Sequence, residues 1–271
     1  MGDAKNIIVK PISATDGNRI IRSLHYSGKV APNSQLHFGV FFNGRCGGAL
    51  QFGPSMAKHK MIGLVSGTLW NEFLELNRMA FADWLPRNGE SRAISYCMRF
   101  IKAKYPHIKW VLSFADGTQC GDGTIYRASG FVLTQINSHT ESFLLPNGES
   151  VQACSLRQGG YASWLKPFIT EKEFHALRGG ATASMRIMKA IGATKLSGFQ
   201  LRYIYFLDPT AKDRLTVPIL PFSEIERRGA GMYKGIKRVT KATSGDQLEG
   251  GGAIPTHALQ NNNEVHNAEN P

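Results

Sequence analysis

At 271 residues with 42% hydrophobic content, the chain is long enough for one large domain around an ample core. Its 32 Lys and Arg against 20 Asp and Glu give +12; the last 31 residues sum to −3 (Lys241 against Asp246, Glu249, Glu264 and Glu269), so residues 1–240 hold +15. That surplus makes a polyphosphate such as nucleic acid the first partner to consider, and the absence of about 18 consecutive apolar residues or a basic-then-apolar leader argues against a membrane span or secretion and for the cytoplasm.

IIVKPIS (7–13) has the β-branched content of a strand. Asp16 then offers an N-cap for a helix through NRIIRSLHYSG that stops at Gly28, placing His25 and Tyr26 in its last turn. Two apolar runs joined by Asn43-Gly44 predict a hairpin with a type I′ turn. FLELNRMAF (73–81) reads as a strand, ADWLPRNGE as a loop, and about Ser91 to Tyr105 as a helix stopped by Pro106. KWVLSFAD (109–116) is a nearly continuous apolar strand, followed by a glycine-rich turn, a helix TIYRAS and a strand FVLTQIN.

The order is therefore β-α-β-β-β-α-β-α-β. Beyond it, 150–197 shows helical patches, with a capping box at Thr170 and Glu173 and a stop at Gly179-Gly180. FQLRYIYFL (199–207) and RLTVPILPF (214–222) read as late strands. The Gly- and Asn-rich stretch after Lys241 is predicted to be a disordered tail beyond a single domain of residues 1–240, with 150–197 an insertion. Cys46, Cys97, Cys120 and Cys154 are too dispersed for a disulfide framework and read as reduced and mostly buried, and no histidine pair has zinc-site spacing.

The helix TIYRAS and the Gly130-Phe131 that follows resemble a segment of the GNAT acetyltransferase superfamily. The resemblance implies an α/β (α+β) fold with a mixed, mostly antiparallel central sheet flanked by helices. It also implies that Tyr126 protonates a departing thiolate, a role a phenol of pKa about 10 can fill; core packing is the alternative. The superfamily's pyrophosphate turn precedes the helix after the fourth strand. Here that place reads Arg87-Asn88-Gly89-Glu90-Ser91-Arg92, with one glycine and an acidic residue, so Arg87, Asn88, Gly89 and Ser91 are the candidates for holding a cofactor phosphate at a helix N-terminus.

A resemblance covering more of the chain is carried by LHYSGK (24–29), ELNRMAFADWLPRNGESR (75–92), VLSFADGTQCGDGTIYRASGF (111–131), LRYIYFLDP and LPFSEIERRGAGMYKG. These are similar to the Mom family of phage DNA-modification proteins, a divergent GNAT relative. The resemblance implies conversion of adenine to N6-carbamoylmethyladenine in double-stranded phage DNA, inside the bacterial host. The residues that match its segments are Tyr26, Arg78, Ser91, Asp116 and Tyr126, with His25 and Ser27 beside them.

Adenine N6 is a poor nucleophile and is paired in a duplex, so the base must be exposed, with Tyr26, Tyr126 and Trp84 as aromatic surfaces for stacking. The carbamoylmethyl product joins N6 to a CH2, whereas acyl-CoA chemistry forms N–C(=O) bonds. A glycine-derived donor with rearrangement is one solution. A redox-active metal is another aid, for which His25, Tyr26 and Asp116 offer ligand atoms suited to iron. Two further readings remain open: an acyl-CoA-dependent N-acyltransferase acting on a protein or small-molecule amine, and a non-catalytic DNA-binding protein using the basic segment 227–238.

Overall fold

The computed structural model describes residues 3–118, 121–138, 142–153, 156, 160–233 and 236–237. Cys120, Cys154 and the expected tail beyond Lys241 lie outside them. Strands β1 (Ile8–Pro11), β2 (Leu36–Phe42), β3 (Arg45–Gly53), β4 (Phe73–Phe81), β5 (Trp110–Asp116), β6 (Val132–Asn137) and β10 (Gln200–Phe206) form one sheet in the order β1-β2-β3-β4-β5-β10-β6. Every pairing is antiparallel except β4 with β5. The class is the expected mixed, mostly antiparallel α/β sheet flanked by helices.

The β2–β3 turn follows its sequence: Asn43 and Gly44 both take positive φ, 49° and 76°, which a type I′ turn requires. Helix α1 (Ala14–Leu24) starts earlier than expected. Its N-cap is Ser13, whose Oγ accepts the Asp16 N–H, and Asp16 falls in the first turn. It also ends earlier, with His25 an extended C-cap (φ −77°, ψ 135°), so His25 and Tyr26 lie beyond the helix.

One sheet face carries Ala49 and Ala80, packed against Ile21 of α1. The other carries Leu50, Phe52, Val111, Leu133 and Leu201, packed against Ala93, Ile94, Cys97, Met98 and Ile101 of α3 (Gly89–Lys104), with Tyr126 of α4 (Thr124–Ala128) in the same core. A Cβ on Gly89, the first residue of α3, would sit 2.6 Å from Ile7 Cδ1, so close packing on the residue just before β1 accounts for that glycine.

Described residues between 143 and 193 form a separate apolar cluster, and the same stretch carries a three-stranded sheet of β7 (Ser142–Leu144), β8 (Ser150–Gln152) and β9 (Thr194–Lys195). The helical patches of the 150–197 stretch are there, Glu171–Leu177 with its capping box at Thr170 and Ala183–Ala190. The late strand 199–207 forms as β10, but 214–222 makes only isolated bridges, Leu215 with Val65 and Leu220 with Leu133. Pro218 and Pro221 lack the N–H a ladder needs.

Candidate active site

The site begins with a division in the sheet. β4 and β5 pair only from Phe73 with Trp110 to Glu75 with Leu112, although β4 continues to Phe81 and β5 to Asp116. Beyond Glu75 the two parallel strands part, and side chains at the parting belong to opposite faces. Glu75 shares the register row of Gly53, and Arg78 that of Gln51, on the side covered by α1. Ser113, buried and with no hydrogen-bond partner for its Oγ among the described residues, pairs in register with Tyr203 on the α3 side.

On the α1 face the polar groups interlock. Arg78 donates from Nε to the Lys29 carbonyl (3.0 Å) and from Nη1 to the Asn77 carbonyl (2.7 Å), tying the segment after α1 to β4. Buried Asn77 accepts from Ser34 Oγ at 3.1 Å and donates to the Pro54 carbonyl at 3.3 Å. Burial pushes the Glu75 carboxyl above the ordinary carboxylate range, against the opposing pull of hydrogen bonds from Ser55 and Asn77 and the charge of Arg78.

His25 and Tyr26, if helical, would point about 100° apart. Past the helix end their rings instead lie against each other, centroids 4.2 Å apart and tilted by 31°, with Tyr26 52% exposed. His25 Nδ1 accepts the Ser27 N–H at 3.2 Å and meets Ser27 Oγ at 2.8 Å. An acceptor at Nδ1 assigns the neutral proton to Nε2, making His25 a hydrogen-bond donor. Burial, and then the nearby Arg78 charge, push its pKa down to about 4, so the ring is neutral at physiological pH.

The α3 face holds the other candidates. Ser91, in the first turn of α3, donates from Oγ to the Asn88 carbonyl at 3.2 Å, and Asn88 itself takes φ 68°. Asn88 and Ser91 line a cleft of about 400 Å3 with Arg92, Ser95, Arg99 and Ser129. Its guanidiniums are braced by the Lys5 carbonyl (Arg92, 2.9 Å) and Ser95 Oγ (Arg99, 2.7 Å). Arg87 is exposed and does not line it, and Gly89 is buried.

Tyr126 is only 8% exposed, against Phe131 and Tyr203 at centroid distances of 5.4 and 5.3 Å. It offers no open ring for stacking a base. Buried Asp122, which the sequence reading passed over, accepts the Tyr203 hydroxyl through its carbonyl and the Thr124 hydroxyl through its carboxylate at 2.9 Å. The Trp84 ring lies under the Arg45 guanidinium at 4.7 Å.

Asp116 ends β5, its Oδ1 accepting the Thr118 N–H at 2.9 Å and the Thr118 hydroxyl, from which contacts run to Ser142 and Gln152 of the small sheet. The iron-ligand expectation for His25, Tyr26 and Asp116 gains no support from these contacts. Nδ1 of His25 and Oδ1 of Asp116 are engaged locally, a cation stands beside His25, and among the described residues no three His, Cys, Asp or Glu converge where they could hold a metal ion.

Among the described residues no helix is long and apolar enough to cross a membrane. The sequence matches the Mom protein family over residues 6–224. It is 34% identical over 218 residues to the methylcarbamoylase mom of Escherichia phage Mu, covering 80% of this chain and 82% of that protein. Similar solved structures include NAA60 of Arabidopsis thaliana (TM-score 0.42, 10% identity, 74% of this chain and 97% of that one). Another is the spermidine/spermine N-acetyltransferase SpeG of Vibrio cholerae (TM-score 0.40, 8% identity, 78% and 98%).

Proposed function

The chain belongs to the Mom protein family, and from that membership we propose that it is a transferase that converts adenine in phage DNA to N6-carbamoylmethyladenine, shielding the genome from host restriction. The observation that carries this reading is the extended likeness to the phage Mu methylcarbamoylase. The divided sheet supports it physically, because a gap between β4 and β5 lets an acceptor on the α1 face meet a donor on the α3 face.

In this reading the target base leaves the stack and enters beside β4. Glu75, its proton affinity raised by burial, takes the proton that N6 sheds as it forms its new bond. His25 donates from Nε2 to a ring nitrogen, and Tyr26 supplies an exposed ring for the base. Arg78 is a positioning residue, since its hydrogen bonds to the Lys29 and Asn77 carbonyls tie the two segments together. Across the sheet, Ser91, Arg92 and Arg99 hold a phosphate-bearing carrier of the donor. The carrier's chemistry is activation of a two-carbon unit.

The net gain, C2H3NO, is that of a glycyl group, C2H4NO, replacing one hydrogen. Transfer of the glycyl group breaks its bond to the carrier, forms the bond to N6 and releases the N6 proton. The carbamoylmethyl linkage then requires N6 to pass from the carbonyl to the methylene carbon while the amino nitrogen passes from the methylene to the carbonyl carbon, with no atom gained or lost. A second reading, acyl transfer from acyl-CoA to an amine, is favoured by the arginine-lined cleft, and mass separates the two.

The test is to express the chain in a bacterium, digest the DNA to nucleosides and weigh them. Deoxyadenosine heavier by C2H3NO supports the proposal. Deoxyadenosine heavier by C2H2O supports acyl transfer, and unmodified DNA from cells rich in soluble protein refutes both for DNA. Tyr126→Phe removes one hydroxyl from the wall nearest the donor side and is expected to lower modification about a hundredfold if that hydroxyl moves a proton. Undiminished modification assigns Tyr126 to packing alone.

A further inference from the structure

The turn before β4 presents an indole that folding does not explain. Glu72 donates its backbone N–H to the Leu69 carbonyl at 3.0 Å, and its carboxylate accepts the Leu69 N–H at 2.9 Å, closing a tight turn with Trp70 at its corner. The turn is anchored from below: Trp110 Nε1 donates to Thr68 Oγ1 at 3.1 Å, and Thr68 Oγ1 donates to the Val65 carbonyl at 2.6 Å. Trp70 is nonetheless 57% exposed, beside Leu69 at 68%. A rigid turn that holds a large aromatic mostly in water costs hydration free energy, and the one ring contact it makes among the described residues is with the cation of Lys58.

Beneath the indole lies a cation. Lys58 is buried, its Nζ 4.6 Å from the Trp70 ring centroid and 5.7 Å from that of Phe73. It takes part in none of the ion pairs found among the described residues, so its positive charge is left to aromatic faces and to whatever anion approaches. His59 and Lys60, exposed on the same one-turn helix α2 (Lys58–Met61), add donors at the rim. The segment then leads to the site: Ser55, three residues before Lys58, hydrogen-bonds Glu75, and Phe73 and Glu75 lie on one face of β4.

A flat apolar surface, a desolvated cation beneath it and basic donors at its edge match a ligand that is aromatic in one part and anionic in the next, which is a nucleotide of a single strand. We propose that Trp70 is the stacking platform for an unpaired base in the DNA strand that carries the target adenine, with Lys58, His59 and Lys60 drawing in its phosphates. The platform holds the opened strand beside Glu75 while the target base occupies the site. The inference rests on DNA being the substrate, and its test does not require the modification reaction.

The full chain is titrated with a fluorescein-labelled twelve-nucleotide oligothymidine, which contains no adenine, and anisotropy and tryptophan emission are read together. The wild type is expected to bind with quenching. Trp70→Phe should bind within about threefold of wild type with part of the quenching gone, and Trp70→Ala about tenfold more weakly at an unchanged melting temperature. Trp70→Ala binding as tightly as the wild type, or a wild type that does not bind the oligomer, overturns the platform. Trp70-dependent binding by a protein that leaves DNA unmodified upholds the platform and removes the reaction reading instead. Modification with an unraised KM for DNA in Trp70→Ala removes the platform alone.

Discussion

His25 shows how a single position changes meaning between sequence and structure. In the sequence it belongs to a helical last turn; in the molecule it is an extended cap whose neutral ring lies against Tyr26 and feels the charge of Arg78. Its folded pKa of about 4 lies below the unfolded 6.5, so the unfolded chain binds more protons between those values. The wild type therefore keeps the full contribution above pH 6.5 and loses it as pH falls towards 4. His25→Gln cannot titrate, and its urea midpoint should fall less steeply than the wild type's over that window. Equal slopes in the two proteins would place the titration elsewhere. Glu75 was the residue most available to the sequence and not taken from it. An acidic residue inside FLELNRMAF is costly to bury, which is a signal of function equal to that of Arg78.

At the scale of elements, the hairpin, β4, β5 and α4 were legible because local chemistry decides them: positive φ at Asn43-Gly44, apolar runs bounded by polar turns, and a glycine before Thr124. Where β10 goes was not legible. Nothing local in FQLRYIYFL says that it enters between β5 and β6, since that choice depends on which strand edges remain after the first six strands have met. The parting of β4 from β5, on which the site depends, is non-local for the same reason. Helix α4 is held by such a contact. Gly123 takes φ 82° against the ring of Tyr203, whose hydroxyl reaches the Asp122 carbonyl. Gly123→Ala forces a Cβ into that ring and into a left-handed backbone, and should destabilise the protein by about 2 kcal/mol in urea unfolding. A loss under about 0.5 kcal/mol would mean the α4 start repacks freely.

For the whole molecule, +15 over residues 1–240 is the sequence property that maps most directly onto a measurable quantity. If DNA is the partner, the logarithm of the association constant should fall linearly with the logarithm of salt concentration. Contact with about six phosphates gives a slope near −5. Anisotropy of a labelled duplex between 50 and 200 mM salt, concentrations over which such binding weakens by roughly a thousandfold, reads the slope directly. A slope near zero would detach the charge from DNA binding. Deleting residues 241–271, which carry −3, should strengthen binding at low salt and matter little at high salt, where screening shortens the reach of charge to a few ångströms.

The position of β10 also fixes when the enzyme comes into being. During synthesis β5 and β6 emerge with no common neighbour, and the strand that joins them, Gln200–Phe206, follows more than sixty residues after β6 ends at Asn137. Until then β5 lacks one of its two neighbours, Tyr203 is not present to support α4, and Tyr126 has only Phe131 of its two ring neighbours to pack on. Under the proposed function, alteration of DNA bases is thereby withheld from partly made chains, and ribosome-bound fragments ending before residue 200 should leave DNA untouched.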